Sequence, residues 1–241
     1  MNRSMTIAIP TYKRFSFLEK TLPKYLLLQE VQEIIIGDET GEDIDLILRQ
    51  PWGSNPKFTF LRNKERMGAY HNKLNVLKYV KTEWVALIDS DNEVSSEYFQ
   101  PLFNYWALNG SNPKYIYLPA DIKSIDIRNP NDIPSYRIRH FENRVVDKSG
   151  WNQLRREHNA DYALNMGNCV FHRDANFYMP DSIQKDVMVE CKLVNKLLLM
   201  ANFSLVFVPK MTYNHIAHHG SHYLQNQGSM INFNSTYNWT I

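Results

Sequence analysis

The sequence predicts a single α/β domain in which a central, mostly parallel β-sheet is flanked by helices. Short runs of apolar and β-branched residues recur at 5–10, 33–37, 57–61 and 83–88, as is typical of strands buried on both faces. Helical patterns alternate with these runs, and such alternation favours βαβ units. Hydrophobic residues make up 44% of the 241 residues, which is enough apolar surface for one substantial core.

The helices are predicted from apolar spacing and from residues that favour helix ends. Segments 15–28, 70–80 and 184–201 carry apolar residues at helical spacing. Ser95 favours the start of a further helix and Gly110 its end. The remaining apolar runs predict later strands at 115–118, 167–171 and 205–208.

Two segments do not fit the alternating pattern. Residues 120–160 are polar and interrupted by proline. They are predicted to cross the carboxyl ends of the strands, where open parallel sheets bind ligands. Residues 216–241 are rich in His, Asn, Gln, Ser and Tyr, and are predicted to form a tail or lid.

Charge and cysteine content exclude several classes of protein. Lys and Arg number 27 against 25 Asp and Glu, so the formal net charge is only +2 and no nucleic-acid partner is expected. Cys169 and Cys191 are too few for a four-cysteine zinc site or a disulfide framework, and we interpret them as reduced core thiols.

No segment has the pattern of a membrane anchor or a secretion signal. The longest apolar stretch, 197–208, falls short of the ~20 residues that a spanning helix needs. The first residues lead directly into a β-like run instead of a signal peptide. A protein without a membrane span and with a cytoplasmic location is therefore expected.

The sharpest chemical signal is a D-x-D sequence formed by Asp89 and Asp91 after the fourth predicted strand. Side chains two residues apart in an extended chain point the same way, so these carboxylates can share one hard cation. Oxygen ligands select Mg²⁺ or Mn²⁺, and the remaining ligands typically come from phosphates and water. The alternative is a polar turn that follows a strand and binds nothing.

Two other metal-dependent readings of this segment are weaker. An EF-hand loop that starts at Asp89 would need glycine at its sixth position and glutamate at its twelfth, where Val94 and Gln100 stand. A dehalogenase-type phosphatase would need Thr or Val at the position of Glu93, so a metal-dependent phosphatase is the less favoured alternative.

Polar residues follow the predicted strands in an ordered series: residues 9–14 (IPTYKR), residues 34–40 (IIIGDET), Asn63, Gly68, Asn72 and then the D-x-D. In this order and spacing, the chain resembles the family 2 glycosyltransferases of the GT-A (Rossmann-like) superfamily. The resemblance is clear over residues 5–100 and weak over 160–210. It implies a GT-A domain at 1–215, with a nucleotide-binding half at 1–110 and an acceptor and catalytic half at 111–215.

The resemblance also implies a nucleotide-binding set made of Pro10, Thr11, Tyr12, Arg14, Asp38, Asn72 and Asp89. Thr11 and Tyr12 would line the base pocket, where the tyrosine ring can stack. Asp38 would contact a uracil, although the acidic neighbour Glu39 is an alternative. Asp89 would lie near the ribose or a metal-bound water, and Asp91 would bind the Mn²⁺ or Mg²⁺ that bridges the two phosphates.

A general base is implied at the start of the late helix. Asp186 occupies that position, with Lys185 in place of the usual acidic neighbour, and Glu190 is the second candidate one turn later. The alternative role for Asp186 is a favourable charge at a helix N-terminus.

Histidines cluster after the last predicted strand, and some GT-A enzymes complete the metal shell with a C-terminal histidine. His215 and His218 are therefore candidate ligands, since imidazole suits Mn²⁺. The alternative is a solvated polar tail. Trp151 and Asn168 are candidate contacts for the acceptor or the sugar, and a partly buried core position is the alternative for the tryptophan.

The implied activity is metal-dependent, inverting transfer of a sugar from a nucleoside diphosphate sugar, in particular a UDP-sugar, to a hydroxyl of a glycan or glycoconjugate acceptor. The alternative is a GT-A-shaped module that binds a nucleotide sugar or a glycan without turnover. A nucleotidyltransferase is disfavoured because residues 10–12 do not form the Gly-rich phosphate loop that such enzymes need after the first strand.

Overall fold

The computed structural model describes residues 4–126, 136–137, 141–158, 168–183 and 190–218. The strands are β1 (Met5–Thr11), β2 (Val31–Asp38), β3 (Phe58–Arg62), β4 (Trp84–Leu87), β5 (Tyr115–Asp126), β6 (Tyr136–Arg137), β7 (Val145–Val146), β8 (Cys169–His172) and β9 (Ser204–Ala217). The helices are α1 (Phe15–Leu26), α2 (Glu42–Leu48), α3 (Ala69–Lys78), α4 (Ser96–Asn109), α5 (Lys148–His158), a 3₁₀ helix (Arg173–Tyr178) and α6 (Glu190–Met200).

The described strands form one sheet in the order β3-β2-β1-β4-β8-β5-β9-β7, and β6 pairs with β5. Strands β3, β2, β1 and β4 are mutually parallel, as the alternation of strands and helices predicts. Beyond β4 the directions are mixed, because β8 runs antiparallel to both β4 and β5, whereas β5 and β9 are parallel. Antiparallel pairing begins where the regular alternation in the sequence ends.

Helices cover both faces of the sheet, so each strand alternates its side chains between two cores. In β2, Ile35 packs into the core covered by α3, α5 and α6. Its neighbours Ile34 and Ile36 pack into the core covered by α1, α2 and α4. All three isoleucines are fully buried, which explains the continuous apolar run in the sequence. The α/β class with a central sheet between helices is confirmed.

Helix α4 begins and ends at the residues that the sequence predicts. The hydroxyl of Ser95 accepts a hydrogen bond from the Glu97 amide, and Gly110 follows the last helical residue with a φ of 78°. A positive φ is readily adopted by glycine, which therefore ends the helix. Both ends of this helix were predicted correctly.

Two elements, α2 and β9, differ from the sequence prediction. Helix α2 has only seven residues, too few for its spacing to stand out. Strand β9 extends to Ala217, far beyond the predicted 205–208, because its second half is polar. The first residues of the predicted tail thus continue β9, and residues 219–241 lie outside the described part of the chain.

Gly37, near the end of β2, allows α3 to approach the sheet. A β-carbon at this position would lie 2.3 Å from Cγ1 of Val76 and 2.8 Å from Oδ1 of Asn72. We expect Gly37→Ala to lower the free energy of unfolding by about 1–3 kcal/mol, because the added methyl group overpacks this contact. Urea denaturation measures the loss.

Gly150→Ala in α5 is the matched control. There the added methyl group would lie 3.3 Å from Oδ1 of Asp147 and 3.7 Å from Val146, so no comparable loss is expected. Equal stabilities of Gly37→Ala and the wild type would show that α3 does not press on β2 as described.

Candidate active site

The candidate site lies where the carboxyl ends of three adjacent parallel strands meet. Thr11 at the end of β1 pairs in register with Asp38 at the end of β2, and β4 lies on the other side of β1. Asp89 and Asp91 follow β4 directly. The sheet therefore brings together polar residues that the sequence places 80 positions apart.

Asp43 in α2 fixes the loop after β1, although the sequence analysis did not identify it. Its carboxylate accepts hydrogen bonds from the Thr11 hydroxyl at 2.5 Å and from the backbone amides of Arg14 and Phe15 at 3.0 Å. Burial raises the pKa of the Asp43 carboxyl, against the opposing effect of the Thr11 and Arg14 hydrogen bonds. The carboxylate thus caps α1, whose own N-cap residue makes no such bond.

The Asp38 carboxylate is buried and is bonded to backbone amides, so it does not face a ligand. Its side chain is fully buried. One carboxylate oxygen accepts from the Thr40 amide and the other from the Ile44 amide, both at 3.0 Å. Asp38 therefore caps α2, and this does not fit the predicted uracil contact, because both oxygens are already engaged away from solvent.

The acidic neighbour of Asp38, Glu39, is also buried at 4% exposed, but it pairs with an arginine that reaches the surface. The Glu39 carboxylate lies 3.5 Å from Nε of Arg66, and the Arg66 guanidinium lies 5.0 Å from the centroid of the Tyr12 ring. Tyr12 is 38% exposed, and the Nζ atom of Lys13 also lies near its ring, 5.7 Å from the centroid. Pro10, by contrast, is buried inside β1 and shapes the loop only through the backbone.

Asn72 joins the ends of two strands. Its amide nitrogen donates to the backbone carbonyls of Gly37 at 2.9 Å and Thr11 at 3.3 Å, and its side-chain oxygen accepts from Asn63 at 3.0 Å. The side chain is buried. Asn72 was predicted to contact the nucleotide, and in the structure its amide connects the ends of β1 and β2.

The first aspartate of the D-x-D is held from two sides. Oδ1 of Asp89 accepts a hydrogen bond from Nζ of Lys73 at 2.6 Å. The Asp89 amide donates to Oδ1 of Asn168 at 2.9 Å, and the Asn168 carbonyl accepts from the Tyr98 hydroxyl. Asn168 is buried with a φ of 56°, so it supports the turn from behind and is not placed to contact a sugar.

The second aspartate is surrounded by positive and imidazole groups. Oδ2 of Asp91 lies 2.9 Å from Nε2 of His218 and 3.8 Å from Nε of Arg14. Burial alone would raise the pKa of the Asp91 carboxyl. The His218 hydrogen bond and the charges of Arg14, His218 and His215 outweigh burial and hold that pKa below its usual value.

The end of β9 brings His218 to this carboxylate. The backbones of Glu93 and Asn214 exchange two hydrogen bonds, at 2.9 and 3.0 Å, and the Ile216 amide donates to Oδ1 of Asn92 at 3.2 Å. The His218 ring then packs 4.7 Å from the Phe17 ring. His215 is exposed on β9, so of the two predicted histidines it is His218 that reaches Asp91.

The donor set at Asp91 fits a divalent cation in part. Among the described residues, no group of three or more His, Cys, Asp or Glu side chains is placed to hold a metal ion. The 2.9 Å separation of the Asp91 oxygen and the His218 nitrogen is close to the ~3 Å between neighbouring ligand atoms on an ion with bonds of about 2.1 Å. A carboxylate and an imidazole suit Mn²⁺, and phosphates and water would supply the other ligands.

The remaining predicted site residues lie elsewhere or outside the described chain. Trp151 is only 1% exposed and packs in the core beneath α5, which is the core position given as the alternative to a sugar contact. Asp186 lies outside the described residues. Glu190 is the first residue of α6, and its side chain is likewise outside the described part.

The lowered pKa of Asp91 predicts a pH dependence of stability. Its stabilising contribution is present above the unfolded value of 3.8 and is lost as the pH falls through the lower folded value. We therefore expect the stability advantage of the wild type over Asp91→Asn to shrink below about pH 4. Thermal unfolding of both proteins at pH 6, 4 and 3 measures the difference, and an advantage that grows on acidification would contradict the assigned contacts.

The geometry defines a class of protein, and comparisons identify the family. The polar residues gather at the carboxyl ends of the parallel strands, which is where open α/β sheets bind their ligands. The chain matches the family described as "Glycosyl transferase family 2" over residues 6–164. The chain belongs to this family. No curated protein matches it in sequence.

Solved structures share the fold. The chain resembles residues 1–349 of S. aureus TarS in complex with UDP-GlcNAc, with a TM-score of 0.65 and 15% identity over 91% of this chain and 60% of that one. It also resembles GalNAc-T7 with UDP, GalNAc and Mn²⁺, with a TM-score of 0.65 and 16% identity over 95% of this chain and 48% of that one. The chain thus spans about three fifths of the TarS structure. The predicted GT-A fold and family are confirmed.

None of the described helices combines the length and the apolar character that a bilayer crossing requires.

Proposed function

We propose that this chain transfers a sugar from a UDP-sugar to a hydroxyl of a glycan acceptor, with inversion at the anomeric carbon and with the help of a divalent cation. The observation that carries the proposal is the contact between Asp91 and His218 beside Arg14, at the carboxyl ends of β1 and β4. Family membership supports glycosyl transfer. The UDP-GlcNAc held by TarS and the UDP and Mn²⁺ held by GalNAc-T7 support the choice of donor and metal.

Different residues of the site would contact the base, the diphosphate and the cation. Tyr12, with Arg66 across its ring, offers a platform for the base, and Glu39 is the nearby acceptor for a base N–H. Arg14 is close enough to Asp91 to pair with the diphosphate. Asp91 and His218 would hold the cation, which supplies Lewis-acid stabilisation of the departing diphosphate.

A carboxylate at the start of the late helix would complete the reaction. The acceptor oxygen attacks the anomeric carbon opposite the diphosphate, the carbon–oxygen bond to the diphosphate breaks, and the acceptor proton passes to the base. We assign this base to Asp186, with Glu190 as the second candidate. A positioned base contributes about 10²–10⁴-fold in rate.

Donor turnover tests the proposal. The protein is incubated with a panel of UDP-sugars and Mn²⁺, with and without glycan acceptors, and UDP release is followed by mass spectrometry. We expect UDP release with at least one donor, and its loss in Asp186→Asn or Glu190→Gln. Tight UDP binding without turnover of any donor would instead favour a binding module, and failure to bind any nucleoside diphosphate would overturn the assignment.

A further inference from the structure

Lys73 is a buried cation next to the D-x-D that the proposed mechanism does not use. It lies in α3, and its side chain is only 4% exposed. Its ammonium donates to Oδ1 of Asp89 at 2.6 Å and to Sγ of Cys191 at 3.1 Å. A buried ammonium requires such partners, because desolvation penalises an unpaired charge.

The two aspartates of the D-x-D therefore differ in what holds them. Asp91 contacts an imidazole, which is itself a metal ligand, so the two groups can exchange their hydrogen bond for a shared cation. Asp89 contacts an ammonium, which cannot bind a metal. Moving Asp89 onto a cation would break the Lys73 pair and bring two positive charges close together.

We propose that Lys73 is a positioning residue that holds the Asp89 carboxylate out of the coordination shell of the cation. The D-x-D then offers one metal ligand, Asp91, and leaves Asp89 to contact the nucleotide. This inference rests on the proposed function, because it concerns how the same site divides cation and nucleotide.

The contact with Cys191 extends this role to α6. Cys191 is the second residue of that helix, so Lys73 connects the D-x-D to the element that follows the predicted base. The charge of Lys73 faces Asp89, while its stem is buried in α3. Replacing it with methionine keeps the apolar stem and removes the charge, which isolates the electrostatic part of the role.

The test uses isothermal titration calorimetry to measure the dissociation constant of UDP without and with Mn²⁺. The ratio of these two constants is the Mn²⁺ factor. In Asp91→Asn we expect Mn²⁺ to have no effect on UDP binding, so that the Mn²⁺ factor falls to about one. Asp89→Asn is expected to weaken UDP binding overall but to keep the factor within about threefold of the wild type, because Asp89 is not a metal ligand. Lys73→Met is expected to raise the factor by about fivefold or more, since it frees a second carboxylate for the metal.

Two further variants serve as controls. Lys73→Arg keeps the charge and should retain the wild-type factor, even if Lys73→Met fails to fold. Lys78→Met on the same helix removes a lysine that pairs with Asp181 at the surface and should leave the factor unchanged.

The outcomes separate the two proposals. Equal loss of the Mn²⁺ factor in Asp89→Asn and Asp91→Asn would show that Asp89 is a ligand and would overturn the role of Lys73 alone. Absence of UDP binding, or of any Mn²⁺ effect, in the wild type would overturn the proposed function and this inference with it.

Discussion

Replacing Asp91 with asparagine is expected to reduce sugar transfer by about 10³-fold or more. The carboxylate contacts both His218 and Arg14, so under the proposed function its loss removes one of the two side chains that would hold the cation. Stabilisation of this kind contributes several kcal/mol to the transition state, and each ~1.4 kcal/mol is a tenfold change in rate. The measurement is kcat/KM for the UDP-sugar that the donor panel identifies.

Asp181→Asn is the matched control for this variant. Asp181 is an exposed aspartate that pairs with Lys78 at the surface, so its replacement should leave kcat/KM within about twofold of the wild type. An Asp91→Asn enzyme that remains as active as this control would show that the aspartate–histidine pair does not hold the diphosphate or its cation.

Replacing Asp43 with alanine is expected to lower the free energy of unfolding by about 2–4 kcal/mol. The change removes a buried carboxylate that accepts from the Thr11 hydroxyl and from the amides of Arg14 and Phe15. These donors then lose their partner, and α1 loses its cap. Urea denaturation measures the loss, and UDP affinity should fall as well, because the same loop carries Tyr12 and Arg14.

Asp45→Ala provides the comparison on the same helix. Asp45 forms an exposed ion pair with Arg62 at 2.6 Å, and pairs of this kind contribute less than about 1 kcal/mol. Similar losses in the two variants would indicate that Asp43 acts only through its charge on α2 and not as the cap of α1.

The sequence predicts the first half of the fold well because its signals there are local. Each of β1 to β4 is a short apolar run, and helical spacing is visible between them, so the parallel sheet follows from the order of the elements. The D-x-D is visible for the same reason, since two carboxylates at the end of one strand need no distant partner to be noticed.

Residues that act through distant contacts could not be found in this way. Lys73 meets Asp89 across 16 positions of sequence, and Asp43 meets Thr11 across 32. Neither pair follows from spacing, because each depends on how closely a helix packs on the sheet. The acidic start of α2 is the only local sign of Asp43, and a helix this short gives no periodic pattern to support it.

Several predicted site residues lie at the site, where their side chains form hydrogen bonds within the protein. Asp38, Asn72 and Asn168 were chosen because polar side chains follow strands, and the structure does place them there. Their side chains are buried, and each forms hydrogen bonds with backbone groups at strand or helix ends. Sequence alone does not distinguish a polar group that binds a ligand from one that satisfies a buried backbone group.

The position of a bound metal shows whether Asp91 and His218 form the cation site. Crystals grown with UDP and Mn²⁺ locate the metal by its anomalous scattering. We expect one Mn²⁺ bound by Oδ2 of Asp91, by Nε2 of His218 and by the diphosphate, with Asp89 still paired to Lys73. A UDP complex in which the metal is bound away from Asp91 and His218, or in which the diphosphate lies far from them, would contradict this expectation.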